Sequence, residues 1–148
     1  DGRLDAWVSV GVVQVGERAL DLVGLAPTAT ARHLTLPGTS GIRVVDGCNG
    51  LASIGLFVGF VMAYPGRARR RALFVPAGIL VIFLSNVGRV TGLLLLQKYW
   101  DGGFGVIHGV GAPLFFYTVI FGLWMFWTTH GGAVSSSDPD EQTRRALA

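Results

Sequence analysis

Three stretches of this chain carry no formal charge or only one, and each is about as long as a bilayer is thick. A polypeptide with such runs must hide them inside a large protein core or in lipid, and a chain of 148 residues is too small for the first. Only 14% of its residues are charged against 51% hydrophobic, whereas about a quarter are charged in ordinary soluble domains. Mean hydropathy is +0.53. The chain therefore belongs in a membrane.

The spans follow from counting. Gly47 to Gly66 is uncharged over roughly 20 residues, enough to cross about 30 Å of hydrocarbon. Ala72 to Gln97 is apolar except for Arg89, and Phe104 to Thr129 holds no formal charge. The N-terminal stretch from Leu4 to Leu25 places Gln14, Arg18 and Asp21 on one helical face with Glu17 beside them, so it either crosses with that face inward or lies in the interface. Between this helix and Cys48, His33-Leu34-Thr35-Leu36 and Ile42-Arg43-Val44-Val45 flank a Pro/Gly-rich turn, the pattern of a short β-hairpin over about 33–45. A strand pair with open edges has to lie outside the hydrocarbon. The expected fold is an all-α membrane protein, a bundle of about four transmembrane helices over about 4–25, 47–66, 72–97 and 104–129, with an extracytoplasmic hairpin before Cys48. Residues 1–130 form one domain; 131–148 read as a disordered cytoplasmic tail. Because the chain starts at Asp1, it is expected to be trimmed or a piece of a longer protein.

The net charge of +3 is no nucleic-acid signal, because the arginines are placed by topology. Arg67, Arg69, Arg70 and Arg71 crowd one loop and Arg144 and Arg145 the tail, whereas the opposite loops carry Arg32, Arg43 and Lys98. The arginine loop is cytoplasmic on this count. Cys48, the loop after Lys98, and His108 then face outward. Arg89 lies 16 residues beyond Leu73, about 24 Å of helical rise, which puts its guanidinium in the same outer leaflet. Three spans thus bring a thiol, a guanidinium and an imidazole to one side.

Those groups make a specific chemistry. A cysteine at a helix start feels unpaired N–H groups and the positive dipole end, which favour the nucleophilic thiolate. At a helix start the same field favours neutral imidazole, so His108 can serve as general base and then acid. Arg89 stays charged and can hold a carbonyl, a carboxylate or a tetrahedral oxyanion. Asn86, three residues earlier on the same face, orients Arg89 or donates a hydrogen bond. The plainer alternatives are a buried apolar cysteine, an interfacial histidine and an Arg89 paired with Glu17 or Asp21. His33 and His130 carry no functional signal. His108 and His130 lie about 33 Å apart along one helix and cannot share a metal or haem; one cysteine is too few for a thiolate cluster. No cofactor is expected. Gly55 and Gly59 form a GxxxG pattern suited to helix packing, and Trp124, Phe126 and Trp127 suit a cytoplasmic aromatic belt.

Taken together, Leu-Val-Gly-Leu, Leu-Pro-Gly, Val-Val-Asp-Gly-Cys-Asn-Gly-Leu, Ser-Asn-Val-Gly-Arg-Val and Val-Ile-His-Gly-Val-Gly, in this order over Glu17 to Tyr117, resemble the exosortase and archaeosortase family. The resemblance implies a polytopic membrane cysteine protease and transpeptidase with Cys48, Arg89 and His108 as its catalytic residues. Asn49 departs from the usual Cys-Ser-Gly, the mark of a divergent subgroup, and joins Asn86 as a supporting residue. Many members have further helices before this region. The implied substrates are exported proteins ending in a short motif, a membrane helix and a basic tail, cleaved through a thioester and passed to water or an envelope amine. The competing reading is a non-enzymatic transporter or assembly subunit in which Arg89 binds an anion.

Overall fold

The computed structural model describes residues 2–45, 48–100, 102 and 104–131. Helix α1 (Gly2–Leu22) leads into strands β1 (Thr28–Thr30), β2 (His33–Thr35) and β3 (Ile42–Arg43). Helices α2 (Leu51–Ala63) and α3 (Ala68–Tyr99) follow, then a short turn α4 (Phe104–Val106), a π-helical segment Ile107–Gly111 and α5 (Ala112–His130). The tail expected over 131–148 lies, from residue 132 on, outside the described residues.

Helix α3 is the axis, packing against α1 on one side and against α2 and α5 on the other. Ser9, Val12, Val13, Gly16 and Leu20 form the buried stripe of α1, a helical repeat turned toward α3 and the sheet. Its polar face is not packed inward: Gln14, Arg18 and Asp21 are exposed. Leu34, Leu36 and Val44 join Val87, Val90 and Leu94 in this first apolar cluster. The second gathers Phe57 and Val61 of α2, Ile82 of α3, and Phe116, Ile120 and Trp127 of α5.

Among the described residues two helices are long and apolar enough to cross a bilayer, Ala68–Tyr99 and Ile107–His130. The span expected over 47–66 is shorter than its hydropathy suggests. Helix α2 has 13 residues, about 20 Å of rise, because the chain from Cys48 to Gly50 bends before the helix starts. Gly50 has φ 84°, a left-handed conformation that suits glycine and stops the helix from extending back to Cys48. The expectation of about four spanning helices thus narrows to two that meet the length and hydropathy requirement.

The hairpin is present and gains a strand. The sheet is an antiparallel meander in the order β1-β2-β3, with Thr28 opposite Thr35, Leu34 opposite Ala29 and Ile42, and His33 opposite Arg43. Thr28–Thr30 is too short to show a period of two in the sequence. Side chains clamp the sheet to the bundle: the Ala29 N–H donates to Glu17 Oε1 at 3.1 Å, the Gly41 N–H to Gln97 Oε1 at 3.1 Å, and Gln97 Nε2 to Ser40 Oγ at 2.7 Å. At the far end, Arg70 Nη1 donates to the His130 carbonyl at 2.6 Å and Arg71 Nη2 to that of Tyr64 at 3.1 Å. Both arginines thereby satisfy C-terminal carbonyls of helices, where positive charge is favoured.

The close helix contact is not at the GxxxG pair. A Cβ on Gly55 or Gly59 would meet nothing within 4 Å, whereas one on Gly78 would land within the Phe57 ring. Gly78→Ala is expected to force α2 away from α3 and cost about 1–3 kcal/mol through overpacking. Thermal unfolding in detergent reads this as a lower Tm, while Gly55→Ala should leave it unchanged. The tryptophans also pack inward more than a belt requires: Trp127 is buried and stacks on Phe74 at 5.0 Å, and Trp124 stacks on Phe60 at 4.8 Å. Phe126 stays exposed.

Candidate active site

Cys48 lies where the chain, coming from β3, turns into α2. The thiol-bearing residue is half-buried and three residues ahead of the first helical residue, not at the helix start itself. A bend of this kind leaves backbone groups without helical partners, and deep in an apolar bundle they need others. The Cys48 carbonyl accepts a hydrogen bond from Arg89 Nη2 at 2.5 Å. The Leu51 N–H donates to Asn49 Oδ1 at 3.0 Å, a side-chain turn that stands in for a helix cap.

Asn49 does more than cap. It is buried, and its Nδ2 donates to Asp5 Oδ1 at 2.8 Å and to the Asp5 carbonyl at 3.1 Å, with Ser9 Oγ at 3.4 Å. Ser9 Oγ in turn donates to the Asp5 carbonyl at 2.6 Å. The first turns of α1 are thus pinned to the cysteine turn. A serine at position 49 could cap Leu51 but is too short to reach Asp5, so the Asn of this chain accounts for the added link. Asp5 and Ser9 were not foreseen in the sequence; the signal was Asn49 itself, whose amide needs an acceptor once buried.

Arg89 projects from the middle of α3. Besides the Cys48 carbonyl it meets the Phe116 ring, with Cζ 5.6 Å from the centroid, a cation–π contact that holds the guanidinium across from α5. Its Nε is buried and has no hydrogen-bond partner among the described residues. Among the described residues it forms no ion pair with Glu17 or Asp21 of α1, the plainer reading: Glu17 accepts from the Ala29 N–H and Asp21 is exposed. Asn86, one turn earlier, is fully buried, yet neither its Nδ2 nor its Oδ1 has a partner among the described residues. It therefore does not orient Arg89 by a direct hydrogen bond.

Two cavities share Arg89 as a wall. A recess of about 140 Å³ is bounded by Gly50, Ser53, Asn86, Arg89, Pro113, Phe116 and Tyr117. A wider apolar groove of about 530 Å³ runs between α3 and the start of α5, past Ser85, Gly88, Gly92, Ile107 and Gly111. His108 sits on the π-helical segment between the two last-named residues, with an exposed side chain; it does not begin a helix, since α4 precedes it. Such π-helical turns recur at functional sites because the extra residue re-aims a side chain. The structure brings Arg89 onto Cys48 and sets Asn49 and Asn86 around them; His108 lines neither cavity, its exposed side chain lying on the π-helical segment whose Ile107 and Gly111 border the wider groove.

This arrangement can do acyl chemistry. It offers a thiol on a braced turn, a fixed cation with an uncommitted N–H beside it, and an imidazole on an adjoining segment. Over residues 3–125 the chain matches the family model described as Transmembrane exosortase (Exosortase_EpsH). No curated protein and no solved structure matches it.

Proposed function

The chain belongs to the transmembrane exosortase family, and from that premise we propose that it is a membrane-embedded cysteine protease and transpeptidase acting on the C-terminal sorting signals of exported proteins. The observation that carries this proposal is the Arg89 guanidinium seated on the carbonyl of Cys48. An intramembrane arginine is costly unless it is used, and here it is spent on the one cysteine of the chain.

In the proposed reaction the Cys48 thiolate adds to the scissile carbonyl, forming a C–S bond and a tetrahedral oxyanion. Arg89 stabilises that charge with a donor not engaged by Cys48. The C–N bond then breaks, His108 gives its proton to the departing amine, and a thioester remains. An envelope amine, or water, next attacks the thioester; its proton passes to His108 and the thiolate is released. The tail that leaves is the membrane helix with its basic end, and the site faces outward if the Arg67–Arg71 cluster, which forms the start of α3 and not the loop expected from sequence, is cytoplasmic.

The test is co-expression with an exported protein that ends in a short motif, an apolar span and an arginine cluster. The tail is expected to be released only when the motif is intact, and the mass of the product distinguishes water from an amine acceptor. Equal tail loss in cells lacking this chain would overturn the proposal.

A further inference from the structure

Asn86 stands out because two opposite needs coincide on one buried side chain. Its carboxamide carries donors on Nδ2 and an acceptor on Oδ1, the side chain is fully buried, and neither atom is hydrogen-bonded among the described residues. Leaving buried polar atoms unsatisfied is unfavourable, and native structures keep few of them. Asn86 also lines the roughly 140 Å³ recess next to the cysteine turn, where Arg89 adds a second unpartnered donor, its Nε. Gly50, two residues after Cys48, forms another wall, and the Phe116 ring a third.

These groups specify what could fill the recess. A carboxylate would satisfy the donors and leave Oδ1 orphaned, and an ammonium would do the reverse and face Arg89. A group presenting a carbonyl and an N–H together satisfies all three. In an extended peptide the N–H and C=O of one residue point to the same side, as in a hydrogen-bonded pair of antiparallel strands. We propose that Asn86 binds the main-chain N–H and C=O of a single residue of an extended peptide, next to the bond that Cys48 attacks, with Arg89 Nε sharing the carbonyl. This assignment rests on the peptide-cleaving function proposed above and makes Asn86 a substrate-binding residue. Recognition of the main chain is independent of side-chain identity, so the sorting motif has to be read elsewhere.

Cys48 is the only cysteine, so its alkylation reports on the recess without any known substrate. The probes are N-chloroacetyl-alanine methylamide and its ester isostere, O-chloroacetyl-lactic acid methylamide, in which the alanine N–H is replaced by oxygen. In both, the thiolate displaces chloride and forms a thioether, and each rate is divided by that of the same probe with glutathione. On the full chain in nanodiscs the amide probe is expected to label Cys48 about fivefold faster than the ester, roughly the worth of one net hydrogen bond. Asn86→Leu, which keeps the volume and removes both polar atoms, is expected to erase that preference while holding or raising Tm. Equal labelling by the two probes, a preference that survives in Asn86→Leu, or a lower Tm for that variant would each overturn the assignment; the last would make Asn86 a structural residue. Tail processing is read in parallel on the same variants. A labelling preference without any processing sinks the proposed reaction and spares the recess, whereas intact processing without a preference does the opposite.

Discussion

Cys48→Ala is expected to abolish tail release and with it any covalent intermediate. In enzymes that work through a nucleophile, removing that one atom costs up to about 10⁶-fold in turnover, and the residual rate owes nothing to the lost group. With wild-type protein and a tailed substrate, a hydroxylamine-sensitive adduct of the two should accumulate and be seen by mass as a thioester on Cys48. With Cys48→Ala neither adduct nor released tail should form, although the bundle should stay folded, because Cys48 is only half-buried and contributes its carbonyl, not its sulfur, to the Arg89 contact. Full processing by Cys48→Ala would instead support a non-enzymatic subunit in which Arg89 serves an anion.

Arg89→Lys should be nearly as damaging as Arg89→Ala. The charge survives in lysine, but a single ammonium cannot donate to the Cys48 carbonyl, lie across Phe116 and still present an N–H to a developing oxyanion. Loss of one oxyanion donor costs about 10²–10³ in turnover, and here the bracing of the nucleophile turn goes with it. The expected result for Arg89→Lys is a kcat lowered by about 10³ or more with KM little changed, measured as the initial rate of tail release in vesicles. A Lys variant within a few-fold of wild type would show that charge alone suffices and would remove the forked geometry from the mechanism.

Much of this architecture was legible because charge is scarce in the chain. One arginine in an apolar run, one cysteine after a polar segment and an arginine cluster between two runs placed Cys48 and Arg89 at one level before any coordinates, and the structure joins them by a hydrogen bond. Hydropathy misjudged the start of α2. Gly47-Cys48-Asn49-Gly50 is uncharged and extends the apolar run, while the left-handed Gly50 ends the helix; hydropathy reports where a segment can sit, not whether its backbone is helical. The isolation of Asn86 was illegible for a different reason. It depends on Phe116 and Gly50 closing over a side chain that could as well have bonded to Arg89. The bond between Asn49 and Asp5 spans 44 positions, and no local pattern announces so distant a partner.

Helix α3 does not stop at the thiol. It runs on from Arg89 to Tyr99, about 15 Å, and the three-stranded sheet is fastened beside that extension by Gln97. In the proposed reaction Cys48, held at the level of Arg89, would work about that far below the end of α3. A folded cargo coming to rest on the rim can lower its scissile bond to the sulfur only on a leash of some four or five unfolded residues, at about 3.3 Å each. If the proposed function holds, shortening that leash in the cargo should block the reaction as surely as removing the sulfur, and substrates would be selected by reach as well as by sequence.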